Sequence, residues 1–241
     1  MPLYDLPGSS ALGEKIAAVF ADGYDTVVLE NHGVVCSGDS LFQAFQRFET
    51  LDFCARLSIE ARRVGAPHFL SEEQLSFIKG HSHLVPEFDP DPATSREREL
   101  RTVMVRLIRR AYDQMLFTST EGTFSARLDD GSLLITPYGI DRNRIVSEDI
   151  VLVRDGKRER GKVPSRSLIL HQKIYQEHPE VNAALIAHPP SVMAFGVAHV
   201  PFNTRTIPES YVMLRDIRLL TYGTQYTDQE QVASMIGPER P

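Results

Sequence analysis

At 241 residues the chain is long enough for one large domain or two small ones, and its 42% apolar and 24% charged content is ordinary for a soluble globular protein. A net charge of −6 argues against broad nucleic-acid binding. No apolar run approaches the ~20 residues of a membrane span, so neither nucleic acid nor membrane is expected as a partner. The opening MPLYDLPGSSALGEK lacks a basic region followed by an apolar core, so no secretory signal is expected. The cysteines are Cys36 and Cys54, which exclude a disulfide framework and fit a reducing, cytoplasmic setting.

Leu12, Ile16, Ala17 and Phe20 recur at helical spacing, so Ser10 to Ala21 is predicted as a helix that Gly23 ends. Thr26-Val-Val-Leu reads as a strand, Asn31-His-Gly as a turn, and Gly33-Val-Val-Cys as extended chain. Asp39 or Ser40 can cap the next helix, whose apolar face carries Leu41, Ala44, Phe45, Phe48, Leu51, Ala55 and Ile59 before Gly65 closes it. After a short helix near Ser71, a proline- and acid-rich stretch over 80–94 reads as a linker. His81 and His83 within it read as solvated, because no scaffold fixes them there.

Glu97 to Met115 is a long amphipathic helix with Thr94 or Ser95 as its cap. Its arginines, with Arg96 to Arg110 alternating with glutamates and apolar residues, read as a solvated face. Asp129-Asp-Gly between two alternating runs is a hairpin signal, and Asp155-Gly156 marks a second turn. Ser165 to His178 is predicted helical, Ala183 to Ala187 a strand, and Ser191 to Ala198 a helix. Strands joined partly by hairpins and interspersed with helices imply an α/β fold with a mixed or antiparallel sheet. LYDLPGSSALGEKIAAVF near the start and LLTYGTQYTDQEQVASMIG near the end both read as strand, turn, polar cap and helix, a faint internal repeat.

TEGTFSARL, LLITPYG, EDIVLVRDG, PSRSLILHQKIYQEHPEVNAALIAHPP and, separately, VLENHGVVCSG resemble the class II aldolase/adducin family. The resemblance implies an α/β sheet flanked by helices. In the family, the NHG segment and its long helix follow the strand–helix region, whereas here they come first. Residues 1–79 therefore look like the C-terminal half of one such domain and 95–241 like the N-terminal half of another, joined by 80–94. A stretch of a tandem protein and a circularly permuted domain both fit that order.

The resemblance implies a divalent metal, usually zinc, on three histidines: two from a His-x-His strand end and one from the NHG turn. His188 matches the second position and His32 the third, but Ile186 stands at the first, and isoleucine cannot ligate. Ser167 stands where the family has its acid/base glutamate. Glu209 is the nearby carboxylate that could replace it, and Tyr211 lies near a position where the aldolases carry a tyrosine proton donor. With Ile186 and Ser167 in place, His188 reads better as a half-buried strand-end histidine bonded to a nearby backbone carbonyl than as a ligand. The family's three phosphate-binding turns correspond to Gly122-Thr123, Thr136 to Gly139 and Ser165-Arg166, where backbone donors, hydroxyls and a helix start favour a phosphate or carboxylate. Those residues can equally be hairpin formers and a helix cap. Three functions stay open: a metal-dependent aldolase, epimerase or decarboxylase acting on a small sugar phosphate or hydroxy acid; a non-catalytic adducin-like assembly domain; or part of a tandem lyase with a degenerate second site. Homo-oligomers are expected in each.

Overall fold

The computed structural model describes residues 5–78 and 85–235. His81 and His83 lie outside the described residues. The chain divides into two compact units, Met1–Leu57 and Ser58–Pro241. The boundary falls inside a helix rather than in the 80–94 stretch. No helix among the described residues is long and apolar enough to cross a membrane.

In the first unit, Ser9 caps α1 (Ser10–Ala21) by accepting from the Leu12 amide at 3.2 Å. β1 (Thr26–Leu29) and β2 (Gly33–Cys36) form an antiparallel pair with Thr26 opposite Cys36 and Leu29 opposite Gly33. Asn31 takes the left-handed conformation that the tight connection requires. Leu12, Val27 and Leu29 form the buried core of this unit. α2 (Leu41–Val64) begins here and runs on into the second unit. Ser40 rather than Asp39 caps it, accepting from the Gln43 amide at 3.1 Å. Much of the expected apolar face of α2 is solvent-exposed, with Leu41, Phe45, Phe48 and Ile59 among the exposed residues and Ala61 its buried one.

The second unit is built on a six-stranded sheet in the order β3-β7-β6-β5-β4-β8. These strands are β3 (Glu87–Phe88), β4 (Thr123–Arg127), β5 (Leu133–Ile135), β6 (Val151–Arg154), β7 (Lys157–Glu159) and β8 (Ala183–Ile186). β3 and β7 run parallel, and the other neighbours are antiparallel, so the sheet is mixed as expected. Side chains alternate across a strand, and the two faces sort accordingly. Phe124, Ala126, Leu134 and Leu152 pack against Met104, Ile108 and Ala111 of α4 (Ser95–Asp113). Leu133, Ile135, Val151 and Val153 face the other way, onto Leu168 and Tyr175 of α5 (Leu168–Glu177). Helix, sheet and helix thus form three layers, an α/β fold with a central sheet flanked by helices. Outside α5, Val232 and Ala233 of α9 (Gln229–Met235) cover Leu170 and Ile174.

Two expectations shift. Residues 85–91 are built into the sheet rather than hanging as a linker. The Arg158 amide donates to Pro86 O at 2.8 Å, the Arg160 amide to Phe88 O at 3.0 Å, and Phe88 packs against the α4-side core. A two-residue strand between prolines leaves no periodicity to read. The arginine-rich α4 also does more than meet water. Arg101 is buried, pairs with Glu97 at 2.7 Å and Glu159 at 3.1 Å, and donates to the Ser147 and Ile150 carbonyls.

Candidate functional site

The three expected anion-binding turns come together at one end of β4. Thr123 Oγ1 and Ser165 Oγ are 2.6 Å apart, and the Ser165 amide donates to Thr136 O at 2.9 Å. Thr136 Oγ1 accepts from the Phe124 amide at 3.3 Å, and the Tyr138 amide donates to Val163 O at 2.8 Å. The hydroxyls of Thr123, Thr136 and Ser165 are therefore buried and bind the turns to one another. Ser165 does not open the helix. α5 starts at Leu168, and Ser165 Oγ accepts from the Ser167 amide at 3.3 Å in the turn before it. Pro164, which cannot donate a backbone hydrogen bond, and the bridge from Pro137 to Pro164 hold that turn extended.

Backbone donors are what the turns leave over. Among the described residues, the amides of Gly122, Gly139 and Arg166 donate to no protein acceptor. Glycine is required at 122: its φ is +74°, and an added Cβ would lie 2.7 Å from the Phe117 ring. Gly139 also has a positive φ, +71°. Arg166 is exposed, and its guanidinium lies 5.6 Å from the centroid of the Tyr138 ring.

The metal candidates His32 and His188 belong to different units. His188 follows β8, and its amide donates to Leu116 O at 3.1 Å. Its Nδ1 is buried, makes no hydrogen bond, and stands 3.8 Å from Glu121 Oε2. The ring bonds no carbonyl, in contrast to the strand-end alternative. Ile186 pairs with Thr123 across the sheet and packs against the Leu170–Ile174 cluster, so this position serves the core. His32 lies in the other unit, in the turn after β1. No group of three metal-ligating side chains converges among the described residues. The second unit supplies His188 and Glu121, short of the three protein ligands and open position of a catalytic zinc centre. On their own these donors do not fit the metal that the family resemblance implies.

Glu209 and Tyr211 sit on α7 (Pro208–Leu214), and both are exposed. Tyr211 is covered on one face by Arg205, whose guanidinium is 4.7 Å from its ring centroid and which also pairs with Asp216 at 3.0 Å. Neither residue is joined by a hydrogen bond or ion pair to the three turns.

Sequence reading missed three residues. Glu121 had a signal, an acid beside the glycine of an anion-binding turn. Arg142 had none: it lies outside every motif, yet it is 2% exposed and bonded to both neighbouring turns. Ser125 lies on the α5 side of β4, with its hydroxyl 2.5 Å from His171 Nδ1 and 2.7 Å from the Tyr175 hydroxyl. Burial pushes the His171 imidazole down to about 4, so it is neutral at ordinary pH, and its Nε2 has no hydrogen-bond partner. Burial raises the Tyr175 phenol.

The chain is similar to known proteins over part of its length. The chain is 43% identical over 74 residues to a methylthioribulose-1-phosphate dehydratase of Methylococcus capsulatus, covering 30% of this chain and 36% of the relative. It is 35% identical over 96 residues to the L-fuculose phosphate aldolase of Escherichia coli, covering 39% of this chain and 42% of the relative. It therefore spans less than half the length of either relative. Among solved structures, YgbL of Escherichia coli, described as a putative aldolase/epimerase/decarboxylase, matches with a TM-score of 0.49 at 24% identity, over 58% of this chain and 72% of that one. The model of the class II aldolase and adducin N-terminal domain matches residues 1–59 and 102–239, which is most of the sequence, and the chain belongs to that family.

Proposed function

We propose that the chain is part of a sugar-phosphate lyase of the class II aldolase type. In this reading the turns at Gly122-Thr123, Thr136 to Gly139 and Ser165-Arg166 seat the phosphate, or a carboxylate of like size. The carrying observation is the 2.6 Å contact between Thr123 and Ser165, which draws the turns together while the Gly122, Gly139 and Arg166 amides keep free donors. The names of the dehydratase and aldolase relatives, both acting on sugar phosphates, support the same substrate class. The chain's own part is to bind and orient: backbone N–H groups take the anion, and Arg166 adds a charge at the rim.

Lyase chemistry needs more than this unit holds. A divalent metal would polarise the substrate oxygen, and a third ligand beyond His188 and Glu121 would have to complete its site. His32 matches the family's third histidine and, in a tandem protein, would serve a site completed by an upstream half-domain; the family match in two separate segments is consistent with a tandem or a permuted arrangement. Ile186 and Ser167 favour the second reading, a degenerate site on an adducin-like binding and assembly domain. Oligomerisation is part of both readings.

Calorimetric titration with inorganic phosphate and glycolaldehyde phosphate tests the pocket. Charge-assisted hydrogen bonds contribute roughly 1.5–3 kcal/mol each, so Arg166→Ala should weaken binding by about tenfold to a hundredfold. Ser165→Ala should cost less, because the backbone donors remain. Absence of binding by the unaltered protein at millimolar ligand would reduce the turns to hairpins and favour the assembly reading. Metal analysis of the purified chain should find less than one zinc per chain. One tightly held ion per chain would show that the ligand set is complete after all.

A further inference from the structure

Arg142 is among the largest fully buried side chains of the described residues, and among them no acidic residue forms an ion pair with it. Carbonyl oxygens solvate it instead. Its Nε donates to Glu121 O at 3.0 Å and its Nη1 to Ile140 O at 2.8 Å. Its Nη2 faces Gly122 O at 3.1 Å, Pro137 O at 3.0 Å and Thr120 O at 3.5 Å. Its own amide donates to Ser119 O at 2.7 Å. One planar fork thus joins residues 119–122 to residues 137–140, two of the three turns.

Peptide planarity gives this clamp a consequence. In a trans peptide the carbonyl and the following N–H point in opposite directions. The Glu121 carbonyl faces the guanidinium, so the Gly122 N–H faces away from it, and that N–H has no protein acceptor. The guanidinium carries a full charge that, among the described residues, backbone dipoles and the neighbouring Asp141 offset. A buried charge of this kind is weakly screened, so it acts on anions nearby.

We propose that Arg142 is the positioning residue of the anion pocket: it turns the 120–122 and 137–140 carbonyls inward, presents the Gly122 amide to the phosphate, and sets a fixed positive charge beneath both turns. This role rests on the phosphate-pocket reading above. Lysine cannot replace it, because an ammonium is a compact point charge without the planar fork that spans both turns.

The test is nitrogen-15 NMR of the full chain titrated with inorganic phosphate, for wild type, Arg142→Lys and Arg142→Ala, with melting temperature recorded for each. Wild type should show phosphate-dependent shifts at the Gly122, Gly139 and Arg166 amides. Arg142→Lys, which keeps the charge and most of the volume, should bind phosphate about tenfold more weakly or worse, even where it is fully folded. Millimolar guanidinium should restore phosphate binding to Arg142→Ala, by filling the vacated cavity, at temperatures well below its melting temperature where the variant is already folded, an effect that loss of folding does not explain. A folded Arg142→Lys that binds phosphate like wild type overturns the proposal and leaves the pocket reading standing. A wild type without shifts at those amides overturns the pocket reading itself, and the role of Arg142 falls with it.

Discussion

His171 holds none of the expected ligand positions, and the structure shows what it does instead. It is fully buried on the sheet side of α5, hydrogen-bonded through Nδ1 to Ser125. Burial alone lowers its pKa to about 4 from 6.5. The sign follows directly. A histidine with a depressed folded pKa is neutral in both states above 6.5. Below 6.5 the unfolded chain takes up the proton while the folded chain resists it, so stability falls until the pH reaches about 4. That difference amounts to about 3 kcal/mol in all. Urea unfolding at pH 7.5 and pH 4.5 should therefore show a large loss in wild type and a smaller one in His171→Gln. Equal losses in the two proteins would place the acid sensitivity elsewhere. Nothing in the string LILHQKIYQE marks this histidine as buried. Its neighbours Leu170 and Ile174 give the apolar stripe, but polar partners such as Ser125 arrive from 46 positions away.

At the scale of elements, the hairpins and long helices were the legible part. Asp129-Asp-Gly and Asp155-Gly156 form the turns expected of them, with Gly131, Asp155 and Gly156 at positive φ. α4 is capped by Thr94, whose hydroxyl accepts from the Glu97 amide at 3.1 Å. What escaped is the inward side of α4. Arg101 reads as one more surface arginine in RERELRTVMVRLIRR, yet it joins α4 to β7 and to the turn before β6. Glu159 is its second carboxylate partner. Burial acts to raise the pKa of Glu159, but hydrogen bonds from Lys162, the Leu152 amide and Arg101 outweigh it and hold the carboxyl below the usual range. Removing Arg101 leaves the carboxylates of Glu97 and Glu159 without their shared cation in a dry site. Arg101→Met should then destabilise the fold by roughly 3–5 kcal/mol. Arg96→Met, on an exposed pair with Glu99, should cost less than about 1 kcal/mol. Thermal melts of the two variants decide it: similar melting temperatures would mean that the Arg101 network adds no more than a surface pair.

At the scale of the whole molecule, the motif set conveyed the fold class, because short continuous apolar runs such as LLI and VLV, bounded by polar residues and Asp-Gly turns, mark strands covered on both faces. The turns at Gly122-Thr123, Thr136 to Gly139 and Ser165-Arg166 were legible as turns because short glycine- and serine-bearing motifs carry their own local geometry. Division of the chain into units was harder, because it depends on packing, which no local pattern states. α2 crosses the boundary without a break in its helical spacing. The two units differ sharply in how much they bury. The first has a core of Leu12, Val27 and Leu29 beneath a two-stranded sheet. The second has apolar layers on both faces of a six-stranded sheet. Local opening free energies follow buried apolar contact, and a two-stranded sheet has little stability of its own. Native-state hydrogen exchange should therefore find the β1 and β2 amides, Val27 to Leu29 and Val34 to Cys36, exchanging at least about tenfold faster than those of Leu134 and Leu152 in β5 and β6. Gradual denaturant should widen the gap if the first unit opens by itself. Equal protection in both units would show that Met1–Leu57 draws its stability from more than the core around Leu12, Val27 and Leu29, and that the protein opens as one cooperative body.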